Sequence, residues 1–154
     1  MDTHDKTQAT ALVIIKPDAV ARKLTPVIMD ALVDRGFGFR RAQLTRLTKA
    51  EAALLYADLA GKPHYEPQVD FMSSGPVMML EVDDKGDPAT LTKRLRAAIG
   101  ATMPADRDPN SIRGIWGDPE TPRLNCIHGS DSPESAAREL ALLDHKFHGS
   151  AKPA

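Results

Sequence analysis

Apolar positions along this chain follow two rhythms, short β-branched runs and stripes at helical spacing, and the alternation between them predicts the elements. Ala11-Leu12-Val13-Ile14-Ile15 is an unbroken apolar run stopped by Pro17, the pattern of a strand buried on both faces. Thr25-Pro26 reads as an N-cap followed by proline at the first helical position. Ile28, Ala31 and Leu32 then form a stripe that Gly36 closes. Phe37 and Phe39 alternate with small or polar residues, but the phase slips before Ala42, Leu44 and Leu47. This predicts a second strand with a bulge at Arg40-Arg41. Thr48-Lys49-Ala50-Glu51 is a capping box ahead of Leu54, Leu55 and Leu59 at helical spacing. Ser74-Gly75-Pro76 turns the chain into a third strand, Val77 to Val82. Asp87-Pro88 starts a helix with Leu91, Leu95 and Ile99 on one face. Leu124 to Ile127 reads as the last strand, and Ser132-Pro133-Glu134 opens a helix with Ala136, Leu140 and Leu143 inward.

Strand and helix therefore alternate four times, which predicts an α+β, ferredoxin-like sandwich. Its sheet has four strands, largely antiparallel, with helices packed over it. Residues 11–148 form the domain, between a flexible segment over 1–10 and a flexible tail over 149–154. Thr102 to Pro122 is rich in Pro, Gly and Asp with little periodicity, and loops of that length are commonly functional.

Composition narrows the function. The chain has 154 residues, 42% hydrophobic and 27% charged, the range of an ordinary folded domain with a real core. A formal net charge of −1 argues against a general nucleic-acid or membrane-surface binder. No apolar run reaches membrane-spanning length, and the polar start lacks a signal-peptide core. The single cysteine, Cys126, excludes an internal disulfide framework and a cysteine-rich metal site, and fits a reducing cytoplasm.

The stretch Asn125-Cys126-Ile127-His128-Gly129-Ser130-Asp131-Ser132 joins an apolar run, a histidine, a glycine turn and a helix start. A lone histidine at a strand end is usually no more than a hydrogen-bonded or exposed residue. Beside the unpaired N–H groups of a helix start, however, it can attack a phosphate. Lys16 directly follows a buried strand, which must deliver its charge to an edge or cleft. Arg96 lies beside the apolar stripe of its helix, and Arg113 lies in the long loop. Taken singly, each of these cations reads as solvated. Together with His128 they supply forked and point-charge donors for a phosphate chain. There is no Gly-x-x-x-x-Gly-Lys-Ser/Thr loop, no kinase glycine-rich loop and no His-Arg-Asp motif. The other histidines (His4, His64, His145, His148) show no zinc-ligand spacing.

From Ala11 to Leu143 this pattern resembles the nucleoside diphosphate kinase family. The likeness rests on Ile15-Lys16-Pro17-Asp18, Ser74-Gly75-Pro76-Val77, Pro104-Ala105-Asp106, Ser111-Ile112-Arg113-Gly114, and Asn125-x-x-His128-Gly129-Ser130-Asp131-Ser132 with Glu134-Ser135-Ala136. The resemblance implies that His128 takes a phosphoryl group from a nucleoside triphosphate and gives it to a diphosphate. It implies that Lys16, Arg96, Thr102 and Arg113 hold the phosphates, and that Lys16 and Asn125 contact the ribose. Tyr56, Ser130 and Glu139 would position the histidine. A magnesium ion would arrive on the nucleotide, held by phosphate oxygens and water rather than by a protein metal site. A homo-oligomer is implied, with no specific nucleic-acid or membrane partner.

The chain also departs from the family pattern. His64 stands where a base-stacking phenylalanine is usual, and Gln68 where an aliphatic residue covers the base. Lys23 and Pro26 replace common glycines. Short insertions fall around Val82 to Leu91 and within Ile115 to Arg123, the second in a loop that in this family packs against neighbouring subunits. Two other readings stay open on the sequence. One is a specialised phosphotransferase for an unusual biosynthetic nucleotide; the other is a catalytically idle nucleotide-binding or scaffold module.

Overall fold

The computed structural model describes residues 9–151; most of the segments expected to be flexible, residues 1–8 and 152–154, lie outside the described residues. Strand β1 (Ala11–Ile15) is buried along its whole length. It lies between β3 (Pro76–Asp83) and β4 (Ile127–Gly129), and β2 (Gly38–Arg46) forms the far edge. The order is β2-β3-β1-β4 and every neighbour is antiparallel, the ferredoxin-like sheet that the alternation predicted.

A strand buried on both sides needs covers on both sides. One apolar cluster takes Ala11, Val13 and Ile15 from β1 and packs them against Ile28, Leu32, Leu95 and Ile99. The helices on that side are α1 (Pro17–Ala21), α2 (Thr25–Asp34), α5 (Leu91–Ile99) and α6 (Ile112–Trp116). The other cluster takes Leu12 and Ile14 to Leu55, Val69, Met72 and Leu143. Its helices are α3 (Lys49–Leu55), α4 (Tyr65–Met72) and α7 (Pro133–Ala151). Alternate residues of one strand thus anchor both layers.

Several expectations are met in atomic detail. The β2 register slips between Phe39 and Arg41, where the phase of the pattern slips. Thr48 and Glu51 cap α3 reciprocally, Oγ1 accepting from Glu51 N–H at 3.1 Å and Oε1 from Thr48 N–H at 2.8 Å. Lys23 adopts φ 63°, the left-handed conformation that explains why glycine is common there.

Others need correction. Leu24, not Thr25, is the N-cap of α2, so the Thr25-Pro26 signal lies one residue inside the helix. Helix α3 stops at Leu55; Leu54 faces out and Leu59 belongs to a separate 3₁₀ turn, Ala57–Leu59. The last strand begins at Ile127 rather than Leu124, because Cys126 turns the chain with φ 68°. Its carbonyl accepts from Lys16 N–H at 2.9 Å and its N–H donates to Asp18 Oδ2 at 3.1 Å. His128 therefore stands in the middle of β4, not at a strand end. Helix α1 is only five residues long and α4 carries Pro67 in its first turn, so neither shows a readable apolar period. Among the described residues no helix is long and apolar enough to cross a membrane.

Candidate active site

His128 pairs across the sheet with Ile14, so its side chain leaves β4 on the face covered by α3, α4 and α7. Helix α7 starts five residues later, and one and a half turns into it Glu139 points back at the ring. His128 Nε2 lies 2.7 Å from Glu139 Oε1. That carboxylate also accepts from Ser130 Oγ at 3.2 Å, and Ser130 Oγ accepts from Leu12 N–H at 3.1 Å. Glu139 is 4% exposed, so the histidine is held by a carboxylate that is itself tied through Ser130 to the backbone of β1. The Tyr56 ring meets the imidazole edge-on, centroids 6.2 Å apart and planes at 74°. Burial raises the phenol pKa, so Tyr56 stays a neutral hydroxyl.

The opening of α7 does not serve as an anion site. Asp131 and Ser132 N–H donate to Ser135 Oγ at 3.1 and 3.0 Å, and Ser135 N–H donates to Ser132 Oγ at 3.0 Å. The helix closes its own start, and its contribution to the site is Glu139.

The cations come from three separate places in the chain. Lys16 is 2% exposed. Its Nζ donates to Arg123 O at 2.8 Å and Asn125 Oδ1 at 2.9 Å, with the Phe71 ring centroid 5.4 Å away. Burial, and then the neighbouring charge of Arg113, push its pKa down to about 7. Arg113, at the start of α6, donates from Nη1 to Gly100 O at 2.9 Å and from Nη2 to Ile127 O at 2.8 Å. The second bond holds the residue just before His128. Burial, then repulsion from Arg96, lowers the Arg113 pKa to about 10. Both cations are uncomfortable as they stand: neither has a carboxylate partner among the bonds described, and an anion between them would relieve both.

These groups share one cleft of about 340 Å³. Lys16, Arg96, Thr102, Arg113 and Asn125 line it with Tyr56, His128 and Glu139. His64 and Gln68, the N-cap and second turn of α4, form another part of its wall. Of the residues singled out from the sequence, only Ser130 does not line the cleft; it stands behind Glu139. Sequence reasoning missed Asp58, Leu59, Asp131 and Arg138, which also line it, and Phe71 beside Lys16. For the first four, nearness in sequence to Tyr56, Ser130 and Glu139 was the available signal; Phe71 had none. Arg138 and Asp58 reach toward each other, Nη2 to Oδ2 at 3.4 Å, an exposed pair of little energetic weight.

A fixed imidazole facing three cations in a pocket of this size suits a phosphorylated ligand. The family model described as nucleoside diphosphate kinase matches residues 9–148. The chain belongs to the nucleoside diphosphate kinase family. The nucleoside diphosphate kinase of Halalkalibacterium halodurans is 41% identical over 130 residues, 84% of each chain. That of Bdellovibrio bacteriovorus is 40% identical over 133 residues, 86% of this chain and 90% of the other. Among solved structures, the Aquifex aeolicus nucleoside diphosphate kinase superposes with a TM-score of 0.79 at 35% identity, covering 88% of this chain and 94% of that one. The enzyme from Encephalitozoon cuniculi matches with a TM-score of 0.79 at 27% identity, covering 87% of each chain.

Proposed function

We propose that this family member moves the terminal phosphoryl group of a nucleoside triphosphate onto a nucleoside diphosphate, through a phosphohistidine on His128. One observation carries the assignment of the attacking atom: Nε2 is engaged by Glu139 at 2.7 Å. A carboxylate only accepts, so it selects the tautomer with hydrogen on Nε2 and a lone pair on Nδ1. Nδ1 attacks the γ-phosphorus, an N–P bond forms, the bridging P–O bond breaks, and the diphosphate leaves. The second half-reaction reverses these events with a new diphosphate. Positive charge arising on the ring is met by Glu139, and charge on the phosphoryl oxygens by Arg96, Arg113 and Lys16. Thr102 adds a hydroxyl. Lys16 and Asn125, already bonded to each other, are the groups for the ribose hydroxyls.

Magnesium fits as a passenger of the nucleotide. Among the described residues no group of three or more His, Cys, Asp or Glu could hold a metal ion alone. In the cleft, Glu139 is committed to His128, which leaves Asp58 and Asp131 as the carboxylates for the ion's water shell. The bound ion would neutralise charge on the phosphate oxygens.

A homo-oligomer is supported by β2, an edge strand whose Leu44 is 60% exposed, and by Val27 and Val33 on α2, 44% and 52% exposed, over the same side of the sheet. Sedimentation at monomer mass would overturn it. A cytoplasmic location accords with the lone, buried Cys126. The idle-scaffold reading is the weaker one, because it gives no reason for a carboxylate-fixed histidine to face three cations.

The test is labelling with radiolabelled ATP and magnesium, wild type against His128→Ala. An acid-labile, base-stable label on the wild type only, chased off as triphosphate by a diphosphate, is expected. Nucleotide binding without label would exclude the enzyme.

A further inference from the structure

Arg107 follows the 3₁₀ turn Pro104–Asp106 and does not line the cleft. Its guanidinium nevertheless donates to three backbone carbonyls: Nε to Ala101 at 3.3 Å, Nη2 to Thr102 at 3.1 Å and Nη1 to Asp118 at 2.7 Å. Few side chains can satisfy three carbonyls at once, and the planar five-donor fork of arginine is one of them.

The three carbonyls belong to two separate segments. Ala101 and Thr102 leave the end of α5. Asp118 opens a tight turn beyond α6, in the loop where the chain carries an insertion. That turn is rigid in its own right: the Asp118 carboxylate accepts from Glu120 and Thr121 N–H, both at 2.8 Å, and Asp118 N–H donates to Leu124 O at 2.8 Å. Leu124 directly precedes Asn125, the partner of Lys16. Gly117 leaves room for the guanidinium, since a Cβ there would stand 2.8 Å from Arg107 Nη1 and 2.6 Å from Arg113 O.

Arg113 completes the arrangement from the cleft side. It takes Gly100 O at 2.9 Å and reaches Thr102 Oγ1 at 3.4 Å. The carbonyls of Gly100, Ala101 and Thr102 are therefore held in succession by two guanidinium groups, one inside the cleft and one behind it. Thr102 itself is exposed and lies in no helix or strand. The link from Arg107 to the Asp118 turn is what fixes it from behind.

We propose that Arg107 is a positioning residue for the phosphate end of the cleft, holding Thr102 against the Asp118 turn so that its hydroxyl and Arg113 meet the nucleotide phosphates together. The proposal rests on the phosphotransfer reading for the identity of the ligand, but not on turnover. Arg107 touches no substrate, and its effect runs through Thr102.

The experiment compares wild type, Arg107→Ala, Arg107→Lys, Thr102→Val and the Ala/Val double variant. ADP affinity is measured by calorimetry, KM and kcat by phosphotransfer, and folding by thermal melting. Arg107→Ala is expected to weaken ADP and raise the nucleotide KM by about tenfold, with kcat changed less, the scale of one or two charged hydrogen bonds. Arg107→Lys, which keeps the charge but not the fork, should fall between. In the Thr102→Val background the Arg107→Ala effect should shrink to about twofold or less, because the group being positioned is gone. A lower melting temperature with unchanged ADP affinity would overturn the proposal, as would equal effects of Arg107→Ala in both backgrounds. If Arg107→Ala does not fold, Arg107→Lys carries the same comparison. A wild type that binds ADP without transferring phosphate would defeat the enzyme reading and leave this binding test intact.

Discussion

At one end of the cleft Lys16, Arg113, Asn125 and Glu139 are 2%, 6%, 2% and 4% exposed, and each is bonded to a residue outside its own helix or strand. At the other end His64 is exposed, and Gln68 presents a buried Oε1 with no hydrogen-bond partner. The first end draws on β1, α6, β4 and α7; the second belongs to one local stretch, the 3₁₀ turn Ala57–Leu59 and α4. Charges buried in a low dielectric are tolerable only when partners are placed accurately, so the phosphate end is woven into the fold and cannot drift without unfolding something. The base end carries no such obligation. A phosphate is the same on every nucleotide and a base is not, and the molecule is rigid where its ligand is constant.

The largest effect should therefore follow from loosening the woven end. Arg113→Ala removes a cleft cation and frees the carbonyls of Gly100 and Ile127, the latter adjoining His128. We expect kcat/KM to fall by about 10²–10³, in line with loss of an electrostatic stabiliser. Arg113→Lys should recover little, because one ammonium cannot bridge both carbonyls and a phosphate. Steady-state kinetics with melting curves check this; near-wild-type activity for Arg113→Lys would show that only charge matters there.

Lys16 gives a subtler test of the same end. Its ammonium, pushed down to about 7 by burial and Arg113, is largely neutral in the free protein at about pH 8. A bound diphosphate restores the charged form, so ADP binding should take up close to one proton at that pH, and less as the pH falls below about 7. Calorimetry in buffers of different ionisation enthalpy measures the uptake, and Lys16→Met should remove it. Stability carries the matching sign. The unfolded lysine titrates near 10.5, so between about 7 and 10.5 the unfolded chain holds the extra proton and the free protein gains stability as pH rises. The same substitution should flatten that rise. No uptake at about pH 8 would mean that Lys16 does not change its charge when nucleotide binds, against the reading of a cation restored by the diphosphate.

What could be read from the sequence follows the same division between local and long-range causes. The buried run of β1, the β2 bulge and the capping box of α3 are local patterns, and each is where the pattern put it. His128, Lys16, Arg96 and Arg113 stood out by residue type and place, but Tyr56, Thr102, Asn125 and Glu139 were legible only through the family's motifs, since nothing local says that Lys16 and Asn125 touch across a separation of 109 positions. The left-handed turn at Cys126 was hidden because its cause, Lys16 N–H and the Asp18 carboxylate, lies at the opposite end of the chain. Helix α4 was hidden for a different reason. Only Val69 and Met72 among its residues are buried, and Pro67 sits in its first turn. The capped start of α7 was misread because Ser132 and Ser135 satisfy amides that a motif alone leaves open.

The smallest effect should come from the base end. His64 can stack on a base and also hydrogen-bond to it, and the Gln68 amide can read its edge, whereas an all-apolar slot grips every base alike. The wild type should therefore spread its kcat/KM over a panel of diphosphate acceptors. His64→Phe with Gln68→Leu should level that spread, changing individual values by only about three- to tenfold, the worth of one modest contact. The substitutions touch none of the buried cations, so the melting curve and the proton uptake on ADP binding should stay as in the wild type. Equal turnover of all acceptors by the wild type would show that the polar slot is indifferent to the base. A loss of proton uptake in the double variant would show that the two ends are coupled, and that the base end is held more firmly than its bonds suggest.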